Sequence, residues 1–563
     1  MSFHRLAPLL FSCTASLAAA GLPLETPKPM GVRLADFVET SAAGDRFRVR
    51  PPVRLRKGAP GKGVVVKVDP SDLRQTIEGI GGAMTESSAY VLAQLPAPKR
   101  RGILDRFFRA EGACFTMARV PIGACDFSVV GKGSYDETPG DVALEHFNIT
   151  LDKQGFKGAV DPTYSLLALI KEALTRQPDL KLVASPWTAP AWMKDNQDWY
   201  GKGKGGSLLP EHSDTFARYM VKYLQAYQAE GVKVWGVTPE NEPLGNGGQW
   251  ESMEFTAVAL RDYVKDHLGP QLTRHGYSGV KIIQFDHNRD ASATTYTDAM
   301  LGDPAAAAFV WGTGLHWYST TRSANTEVMD AIHARYPTKA LLHTEGCVDG
   351  IGTQDSSPNG VFLGWKNEAW WWTAAATDWG FYWAAPEEKP AHPRYTPVHR
   401  YARDLIDGLN HWFVGWIDWN LVLDRNGGPN HVNNLCAAPV MVDTATQEVH
   451  VTPLYYVMAH FSRYLQPGDR IVGVTTTAPG LDTDAFHATA ALAKDGRHLV
   501  VIAFNASRRP VSYAIQVGDT QASVVIPENA LQTLRFPLIG PALSVPAQGA
   551  TRGASHVEGA GSR

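Results

Sequence analysis

The chain has 563 residues, a formal net charge of -3 and 44% hydrophobic residues. This length and composition are typical of a folded protein with a large core and more than one domain. Because the charge is nearly balanced and no basic patch is interleaved with aromatic residues, nucleic acid and anionic membrane surfaces are not expected as partners.

The first 23 residues have the pattern of a secretory signal peptide. Arg5 supplies a positive start, an apolar run from Leu6 to Leu17 follows, and Ala18 to Ala20 form a small-residue cleavage region. We therefore expect residues 1–23 to be removed and the mature chain to be secreted or periplasmic. A lipid anchor at Cys13 is disfavoured because the apolar run before it is too short. No other stretch is long enough to span a bilayer.

Eight apolar runs typical of β-strands alternate with helical stretches in the middle of the chain. They begin at Thr76, Phe115, Lys181, Val232, Val280, Gly312, Lys339 and Phe413. The intervening periodicity is helical, as in TFARYMVKYLQAYQAEG before the fourth run and TEVMDAIHARYP before the seventh. Eight such repeats predict an α/β fold, a (β/α)8 TIM barrel over residues 76–446. A doubly wound sheet is the alternative, but the glycine-rich GIGGAMTE near the first run is only a weak nucleotide signal.

The two ends of the chain predict a second domain. Short alternating strands with turns such as Asp495-Gly496 follow Thr446, and residues 47–69 have a similar pattern. We expect residues 24–75 and 447–538 to form one β-sandwich beside the barrel. Residues 539–563 are rich in Gly, Ala and Ser, which favours a disordered tail.

Cysteines and histidines give no clear metal signature. Cys114 and Cys125 could pair in an exported protein or remain buried thiols, and the spacing leaves this open. No short two-histidine spacing supports a metal site. The residues that such a site would group are His316, Asp286, His287 and His343. The sequence therefore predicts neither a metal nor another cofactor.

The strand ends carry the candidate catalytic residues, since TIM-barrel active sites lie at the C-terminal ends of the strands. The fourth run ends in Glu240-Asn241-Glu242-Pro243 and the seventh in Glu345. Two carboxylates facing each other across one cleft, with aromatic residues around them, are what glycoside hydrolysis requires. Asn241 is placed to bind a sugar 2-hydroxyl and Pro243 to stop the strand. Glu240 has no assigned role and is expected to pair with a basic neighbour.

Other strand ends contribute polar and aromatic side chains around this pair. Those at the second, third, sixth and eighth strands are Arg119, Asp126, Trp187, His316, Trp317, Tyr318, Asp418, Trp419 and Asn420. His316, in the motif HWY, is interpreted as support for the cleft wall rather than as a catalytic group. Trp416 is interpreted either as cleft support or as core.

Motifs along the chain resemble glycoside hydrolase family 30 of clan A, and most of all its branch of lysosomal glucosylceramidases and bacterial relatives. They run in the family's order from Gln75 to the last strands: QTIEGIGGAMTESSAY, RVPIGACDFS, ASPWTAPAWMK, WGVTPENEP, HWY, HTEGCV, GWIDWNLVLDRNGGPN and HFSRYLQPGDRIVGV. The resemblance implies a barrel with a side sandwich and a retaining double displacement. It implies Glu242 as acid/base and Glu345 as nucleophile.

The resemblance also implies roles for the surrounding residues. Asp126 and Trp187 match positions that hold the glucosyl 4- and 6-hydroxyls, Asn241 the 2-hydroxyl ligand, and Trp419 the aromatic residue of subsite −1. Arg119 and Tyr318 match positions that support the two glutamates, and Asn434 falls at a rim position. A retaining enzyme requires carboxyl groups ~5–5.5 Å apart. The charge on Glu345 is expected to raise the pKa of Glu242.

Two departures from the family concern the substrate. Gly346 stands where alanine is common, and the Trp-rich segment 351–398 is longer than in animal lysosomal enzymes. Because this segment follows the seventh strand beside the cleft entrance, it could face a lipid or hold a second sugar. A β-glucoside of the glucosylceramide type is expected as substrate, with β-1,6-glucan as the alternative. A non-catalytic sugar-binding protein is disfavoured, because a binder has no use for an acid/base pair. The oligomeric state stays open.

Overall fold

The computed structural model describes residues 36–201, 206–319, 323–351, 366, 368–372 and 396–538. The expected signal peptide, Cys13, the expected tail and most of the Trp-rich segment lie outside these ranges. No described helix is both long and apolar enough to cross a bilayer.

The described strands, in chain order, are β1 (Phe37–Ser41), β2 (Arg48–Val49), β3 (Arg56–Lys57), β4 (Val64–Thr76), β5 (Gly79–Ala83), β6 (Met117–Ile122), β7 (Lys181–Pro186), β8 (Gly236–Val237), β9 (Lys281–Asn288), β10 (Val310–His316), β11 (Ala340–Glu345), β12 (Asp349–Ile351), β13 (Phe413–Asp418), β14 (Val422–Asp424), β15 (Leu435–Cys436), β16 (Val440–Asp443), β17 (Glu448–Val451), β18 (Arg470–Thr477), β19 (Phe486–Leu492), β20 (His498–Asn505), β21 (Val511–Val517), β22 (Thr520–Ile526) and β23 (Ala530–Pro537).

The described α-helices are α1 (Glu86–Ala93), α2 (Ala97–Phe108), α3 (Thr150–Lys153), α4 (Leu166–Arg176), α5 (Ser213–Ala229), α6 (Ala257–Asp262), α7 (Gly269–Arg274), α8 (Ala291–Leu301), α9 (Pro304–Ala307), α10 (Thr326–Arg335), α11 (Pro397–Asn410) and α12 (Pro453–Ser462). A π-helical turn, Tyr263–Leu268, joins α6 to α7. Short 3-10 turns occur at Ala191–Met193, Pro210–His212 and Glu368–Trp372.

A closed barrel of parallel strands confirms the predicted fold. Its circular order is β10-β11-β13-β5-β6-β7-β8-β9. Strands such as β6 are buried along their whole length, which explains why they appear in the sequence as continuous apolar runs. The two quoted helical stretches form α5 and α10. The fourth strand is shorter than expected, since β8 begins at Gly236 and not at Val232.

Strands from both ends of the chain form the second domain. One ten-stranded sheet has the order β2-β1-β23-β20-β19-β18-β4-β21-β22-β3. Val66 of β4 and Ile515 of β21 share an apolar cluster with Val501 of β20 and Leu534 of β23. Because these strands come from both halves of the order, the sheet folds over itself as a sandwich.

The C-terminal part of this sandwich begins later than the sequence analysis placed it. Its first strand, β18, starts at Arg470, whereas the division after Thr446 falls within the hairpin that pairs Asp443 with Glu448. The intervening helix α12 packs against the first barrel strand, β5. Its apolar residues, among them Leu454 and Phe461, belong to the main core of the barrel.

Candidate active site

Arg119 on β6 is the centre of the site. Its side chain is fully buried at the C-terminal end of the barrel. One guanidinium nitrogen, Nη1, donates to Glu345, while Nη2 donates to Asn241 and to Asp286, at 2.7 Å each. Nε donates to Ser185 Oγ on the next strand at 3.1 Å. A buried cation with all three nitrogens engaged has little freedom, so it fixes the positions of the groups around it.

Glu345, at the end of β11, is held from two sides. Arg119 occupies Oε2, and the hydroxyl of Tyr318 donates to Oε1 at 3.0 Å. The residue is 6% exposed. Because each of its oxygens is held by a separate donor, this carboxylate is aimed in one direction, as a nucleophile must be. Tyr318 therefore supports Glu345, in the position that the sequence analysis assigned to it.

Glu242 lies on a strained turn beyond β8. Its φ is 53°, a left-handed conformation that a glutamate adopts at a cost of roughly 1–3 kcal/mol. Two backbone bonds hold this turn: Glu242 N donates to Asp286 O at 3.0 Å, and Gly245 N donates to Glu242 O at 2.9 Å. The side chain is 17% exposed, more than that of Glu345. The strain thus presents the Glu242 carboxyl to the cleft.

His316 at the end of β10 connects the carboxylates. Nδ1 lies 3.0 Å from Glu242 Oε1 and 4.0 Å from Glu345 Oε1, and Nε2 lies 3.0 Å from Asp286 Oδ1. Burial alone lowers the pKa of His316, but the surrounding carboxylates raise it to about 9. The imidazole is therefore protonated at neutral pH and in direct contact with the expected acid/base, a closer involvement than the sequence indicated.

Two imidazoles also set the proton affinity of Glu242. His287 Nδ1 lies 3.4 Å from Glu242 Oε1, the same oxygen that His316 contacts. Burial raises the pKa of Glu242, but the charges and hydrogen bonds of these two histidines bring it below the ordinary value of a glutamate. The net shift of this pKa is therefore opposite in direction to the rise expected from the charge of Glu345, because the two histidines that contact the carboxyl favour its charged form.

Asn241 is oriented by the same arginine. Its backbone N donates to Pro186 O at 2.7 Å, which ties the end of β8 to β7. Oδ1 accepts from Arg119 Nη2. Because an arginine can only donate, the amide orientation is unambiguous, and Nδ2 is left as the group that can donate to a ligand. This geometry agrees with contact to a sugar hydroxyl.

Trp187 and Trp419 form the aromatic part of the site. Their rings stack on each other with centroids 5.2 Å apart and an interplanar angle of 21°. The guanidinium carbon of Arg119 lies 4.8 Å from the Trp187 ring centroid and 5.6 Å from that of Trp419. Phe127 contacts Trp419 edge-on at 5.8 Å. These contacts join the aromatic pair to the carboxylate cluster through Arg119.

Asp126 and Asn434 form a second polar group beside the first. Asn434 Nδ2 donates to Asp126 Oδ2 at 3.0 Å, and Asn430 approaches the same oxygen at 3.4 Å. Burial raises the pKa of Asp126 to about 7, and the negative charge of Glu345 contributes to the rise. Asn434, which the resemblance placed only at the rim, is thus a direct hydrogen-bond partner of Asp126.

Trp416 packs in the core and contacts neither Glu242 nor Glu345 among its described hydrogen bonds and ring contacts. Its ring stacks on His343 at 4.4 Å, and Nε1 donates to Asp404 of α11 at 2.9 Å. It therefore belongs to the layer between β13 and its covering helix, which corresponds to the core interpretation. His343 is buried with it and does not join His316, so the four-residue metal grouping considered from the sequence does not form.

Sequence reasoning missed Asp286 and His287 as members of the site. Both lie near the end of β9, where Phe285 and Asp286 have φ values of 71° and 56°. The register with β10 shifts at this point, so Gly314 pairs with Phe285 and Leu315 pairs with His287. The available signal was the polar sequence Asp286-His287-Asn288 at the end of the fifth apolar run, the same criterion that identified Glu242.

Glu240 lies beneath the site. It is 1% exposed, and the nearby Lys194 acts on it through its charge. Burial raises the pKa of Glu240 well above its usual range, against the opposing charge of Lys194. Burial also lowers the pKa of Lys194 to about 8, while its Nζ donates to Ser252 O at 2.7 Å. Glu240 therefore belongs to the support of the turn and not to the cleft.

One trio of side chains has the composition of a metal site. The ligand atoms of Glu242, His287 and His316 lie within 4.8 Å of one another. An ion bound here would displace the proton held between His316 and Glu242 and would occupy the carboxyl expected to act as acid/base. The trio is therefore better explained by proton transfer than by a resident cation.

The thiols also have defined places. Cys114 Sγ contacts Gln466 and Gln177 at 3.9 Å each, and Cys125 is buried separately, so the two are not bonded to each other.

Of the Trp-rich segment, the described turn Glu368–Trp372 places Trp371 and Trp372 in the core.

Family models match both domains of the chain. Residues 77–367 and 387–465 match the glycosyl hydrolase family 30 TIM-barrel domain, and residues 472–534 match the family 30 β-sandwich domain. The second match begins close to the start of β18 at Arg470.

Curated relatives have two different activities in their names. The chain is 31% identical to the lysosomal acid glucosylceramidase of Mus musculus over 82% of this chain and 80% of the relative. It is 29% identical to the endo-1,6-β-D-glucanase of Neurospora crassa over 85% of this chain and 90% of that protein. Among solved structures, the endo-β1,6-glucanase BT3312 superposes with a TM-score of 0.71 at 26% identity, covering 89% of this chain and 99% of that one.

Proposed function

The chain belongs to glycosyl hydrolase family 30 and is a glycoside hydrolase, and from this premise we propose that it hydrolyses β-glucosidic bonds with retention of configuration. The observation that carries the proposal is that His316 Nδ1 lies 3.0 Å from Glu242 and 4.0 Å from Glu345, whose other oxygen accepts from Arg119. Both carboxyl groups contact or approach the same atom, His316 Nδ1. This closeness is in keeping with the ~5–5.5 Å separation of a retaining pair, which leaves no space for a water between the carboxyls.

In the first step, Glu345 attacks C1 of the glucoside and forms a glycosyl ester. Arg119 and Tyr318 hold both oxygens of this carboxylate, so the attack needs little reorganisation. Asn241 Nδ2 donates to the 2-hydroxyl, a contact that strengthens as positive charge develops at C1. Asp126 accepts a hydroxyl at the other end of the sugar, and Trp419 lies against the ring.

The proton for the leaving oxygen comes from the pair formed by Glu242 and His316. When only water surrounds Glu242, the proton resides on His316, because the pKa of His316 is raised to about 9 and that of Glu242 is lowered. A bound sugar removes this water, and desolvation favours a neutral carboxyl and a neutral imidazole over two charges. The proton then moves from Nδ1 to Oε1 over 3.0 Å and on to the leaving oxygen.

In the second step Glu242 acts as a base. It removes a proton from a water molecule that attacks C1, and the ester to Glu345 breaks to release a β-configured sugar. His316 and Asp286 restore the initial charge distribution by taking the proton back to the imidazole.

The substrate class that we propose first is a β-glucoside of the glucosylceramide type. Support comes from the similarity to the mouse glucosylceramidase over most of both chains. The second candidate is a β-1,6-glucan, supported by comparable identity to the Neurospora glucanase and by the structural similarity to BT3312. The two candidates share the glucosyl site and differ only in what lies beyond the leaving oxygen.

Chemical rescue tests the mechanism. Glu345→Ala and Glu242→Ala should each keep the fold and lower kcat on an aryl β-glucoside by at least 10³-fold. Azide should restore turnover to both, giving the α-glucosyl azide with Glu345→Ala and the β-glucosyl azide with Glu242→Ala. Proton NMR of the anomeric signals distinguishes the products. Glu254→Gln, a carboxylate change on the loop beyond Glu242, is the matched control and should retain activity.

The opposite assignment of anomers would exchange the two roles. Failure of azide to rescue either variant, with both folded, would overturn the catalytic assignment.

Product analysis on two substrates tests the substrate class. Glucosylceramide in detergent and a β-1,6-glucan should be incubated separately with the same enzyme preparation. Ceramide and glucose as products would support the first candidate, and gentio-oligosaccharides from the glucan would support the second. Cleavage of neither, with an aryl β-glucoside still hydrolysed, would refute both natural substrates and leave the retaining mechanism intact.

We also infer that the protein is exported after loss of residues 1–23. The pattern of Arg5, the apolar run and Ala18 to Ala20 supports this inference. Expression of the full chain in a bacterium should yield, outside the cytoplasm, a form whose N-terminus starts near Leu24. Intact-mass measurement of a cytoplasmic product that begins at residue 1 would contradict it.

A further inference from the structure

We propose that Cys347 and Cys436 form a disulfide bond in the oxidised protein, and that this bond ties the nucleophile segment to the loop that positions Asp126. The proposal is independent of the substrate, because it concerns the covalent state of the chain and not the reaction.

The two sulphur atoms are already in contact. Cys347 Sγ and Cys436 Sγ are 2.9 Å apart, and both residues are 1% exposed. A disulfide bond is ~2.05 Å long, so closure requires the sulphurs to approach by less than about 1 Å.

The backbone around both cysteines is fixed in a geometry that suits such a bond. The short strands β12 and β15 pair antiparallel, with Asp349 opposite Cys436. Ala437 N donates to Val348 O at 2.8 Å, and Trp317 Nε1 donates to Cys347 O at 3.0 Å. Hydrogen bonds therefore hold the chain on both sides of the sulphur pair.

The segments joined are both functional. Cys347 is two residues beyond Glu345, and its sulphur lies 3.6 Å from the Tyr318 hydroxyl that donates to Glu345. Cys436 is two residues beyond Asn434, the donor to Asp126. The bond would connect positions 89 residues apart and enclose the Trp-rich segment. A cross-link over a loop of this length restricts the unfolded chain strongly.

The other described thiols lack this arrangement. Cys114 Sγ contacts the amides of Gln466 and Gln177, and Cys125 is buried on the β6 side of the barrel. Four cysteines outside the first 23 residues thus divide into one contacting pair and two separate thiols. The sequence analysis considered Cys114 with Cys125, and the structure points to the other pair.

The reaction is a thiol–disulfide exchange with a small disulfide such as oxidised glutathione. One thiol loses its proton and attacks the oxidant, forming a mixed disulfide and releasing one glutathione thiol. The second cysteine then displaces the second glutathione. The protein loses two protons and two electrons, and the oxidant is reduced to two thiols. Because the folded pair is buried, the exchange takes place during folding or local opening.

Peptide mapping tests the bond directly. The full chain should be refolded with oxidised and reduced glutathione, then unfolded in a denaturant at near-neutral pH with excess N-ethylmaleimide and digested without reduction. The expected result is one linked peptide pair containing Cys347 and Cys436, while Cys114 and Cys125 are alkylated. Alkylation of both Cys347 and Cys436 in more than half of the molecules would overturn the proposal.

Thermal unfolding gives a second measurement with a matched control. The oxidised protein should unfold several degrees higher than the same protein treated with a reductant. Cys436→Ser should abolish this difference, whereas Cys114→Ser should keep it. If Cys436→Ser does not fold, Cys436→Val takes its place, since valine suits a buried strand position. An equal effect of the reductant on the Cys436 variant and the parent would contradict the proposal.

Discussion

Two layers of the barrel interior contrast sharply although strands β6, β9 and β11 contribute to both. The lower layer is apolar and consists of Met117, Val183, Ile283, Leu342, Val414 and Ile417. The upper layer contains the charged cluster of Arg119, Glu242, Asp286, His316 and Glu345. The lower layer closes the barrel by burial of apolar surface, and the upper layer is stable only because each charge has a partner.

The strands pass from one layer to the next in two different ways. On β6 and β7 the step is two residues, from Met117 to Arg119 and from Val183 to Ser185, as the alternation of a regular strand requires. On β9 and β11 the step is three, from Ile283 to Asp286 and from Leu342 to Glu345. Register shifts accompany both longer steps. The contrast shows that bulges aim the carboxylates, while regular strands position their supports.

The largest expected effect in this contrast belongs to Arg119. Arg119→Met would leave Asp286 and Glu345 buried without their cation, which typically costs about 3–5 kcal/mol. We expect the free energy of unfolding to fall by this amount and kcat to fall by more than 10²-fold. Urea unfolding and steady-state kinetics measure the two effects. Arg119→Lys keeps the charge but loses the planar set of guanidinium donors. Its free energy of unfolding and its kcat should therefore lie between those of the parent and those of Arg119→Met.

If Arg119→Met remained as stable as the parent, the charges of the upper layer would not depend on this residue, and the distinction between the layers would be lost.

Substitutions in the lower layer should lower the free energy of unfolding and leave kcat nearly unchanged. Met117→Ala, two residues from Arg119 on the same strand, leaves a cavity and should cost about 2–5 kcal/mol. Because Met117 contacts none of the catalytic groups, kcat should stay within about 2-fold at temperatures where the variant is folded. Met117→Leu, which conserves volume, is the control and should cost less than about 1.5 kcal/mol. A loss of kcat equal to that of Arg119→Met would show that the two layers act as one.

Gly346 follows Glu345 of the upper layer and packs against the rings of His343 and Trp317. A Cβ there would be 2.7 Å from His343 Nε2 and 2.9 Å from Trp317 Cε2, closer than packing allows. Gly346→Ala, a change to the residue common in the family, should therefore cost about 1–3 kcal/mol. Gly102→Ala on α2, where nothing lies within 4 Å, should stabilise by about 0.5–1 kcal/mol. Equal stability of both variants would show that the rings of His343 and Trp317 shift at little cost in free energy.

The smallest effect is a pH dependence of stability. The folded-state pKa of His316 is raised to about 9 from 6.5, so its contribution is complete below pH 6.5 and is lost as pH rises through 9. The difference in Tm between the parent and His316→Gln should therefore shrink between pH 6.5 and 9. His460, whose pKa burial lowers to about 3, is the control. His460→Gln should give a difference that is constant over this range.

Several features of the site could be predicted from single motifs. Glu242, Asn241 and Glu345 were identified because polar residues at the ends of apolar runs have no structural reason to be there. Asp126, Trp187, Trp419 and Tyr318 were identified at strand ends and took their specific roles from the resemblance, and the structure places each beside the cluster. Asp286 and His287 satisfied the same criterion as Glu242 but were interpreted only as possible metal ligands, because their orientation depends on a bulge that no periodicity reveals.

The sequence by itself determined the class of fold, the number of barrel strands and the location of Glu242 and Glu345 at strand ends, because apolar runs, helical periodicity and strand-end carboxylates are local properties. Tertiary structure decided the rest. The pairing of β10 with β9 and β11 brings His316 between Glu242 and Asp286, and so decides where the proton resides. The pairing of β12 with β15 brings Cys347 to Cys436 across 89 residues. Proton affinity and sulphur contact depend on groups distant in the chain, and only the closed barrel and its loops bring those groups together.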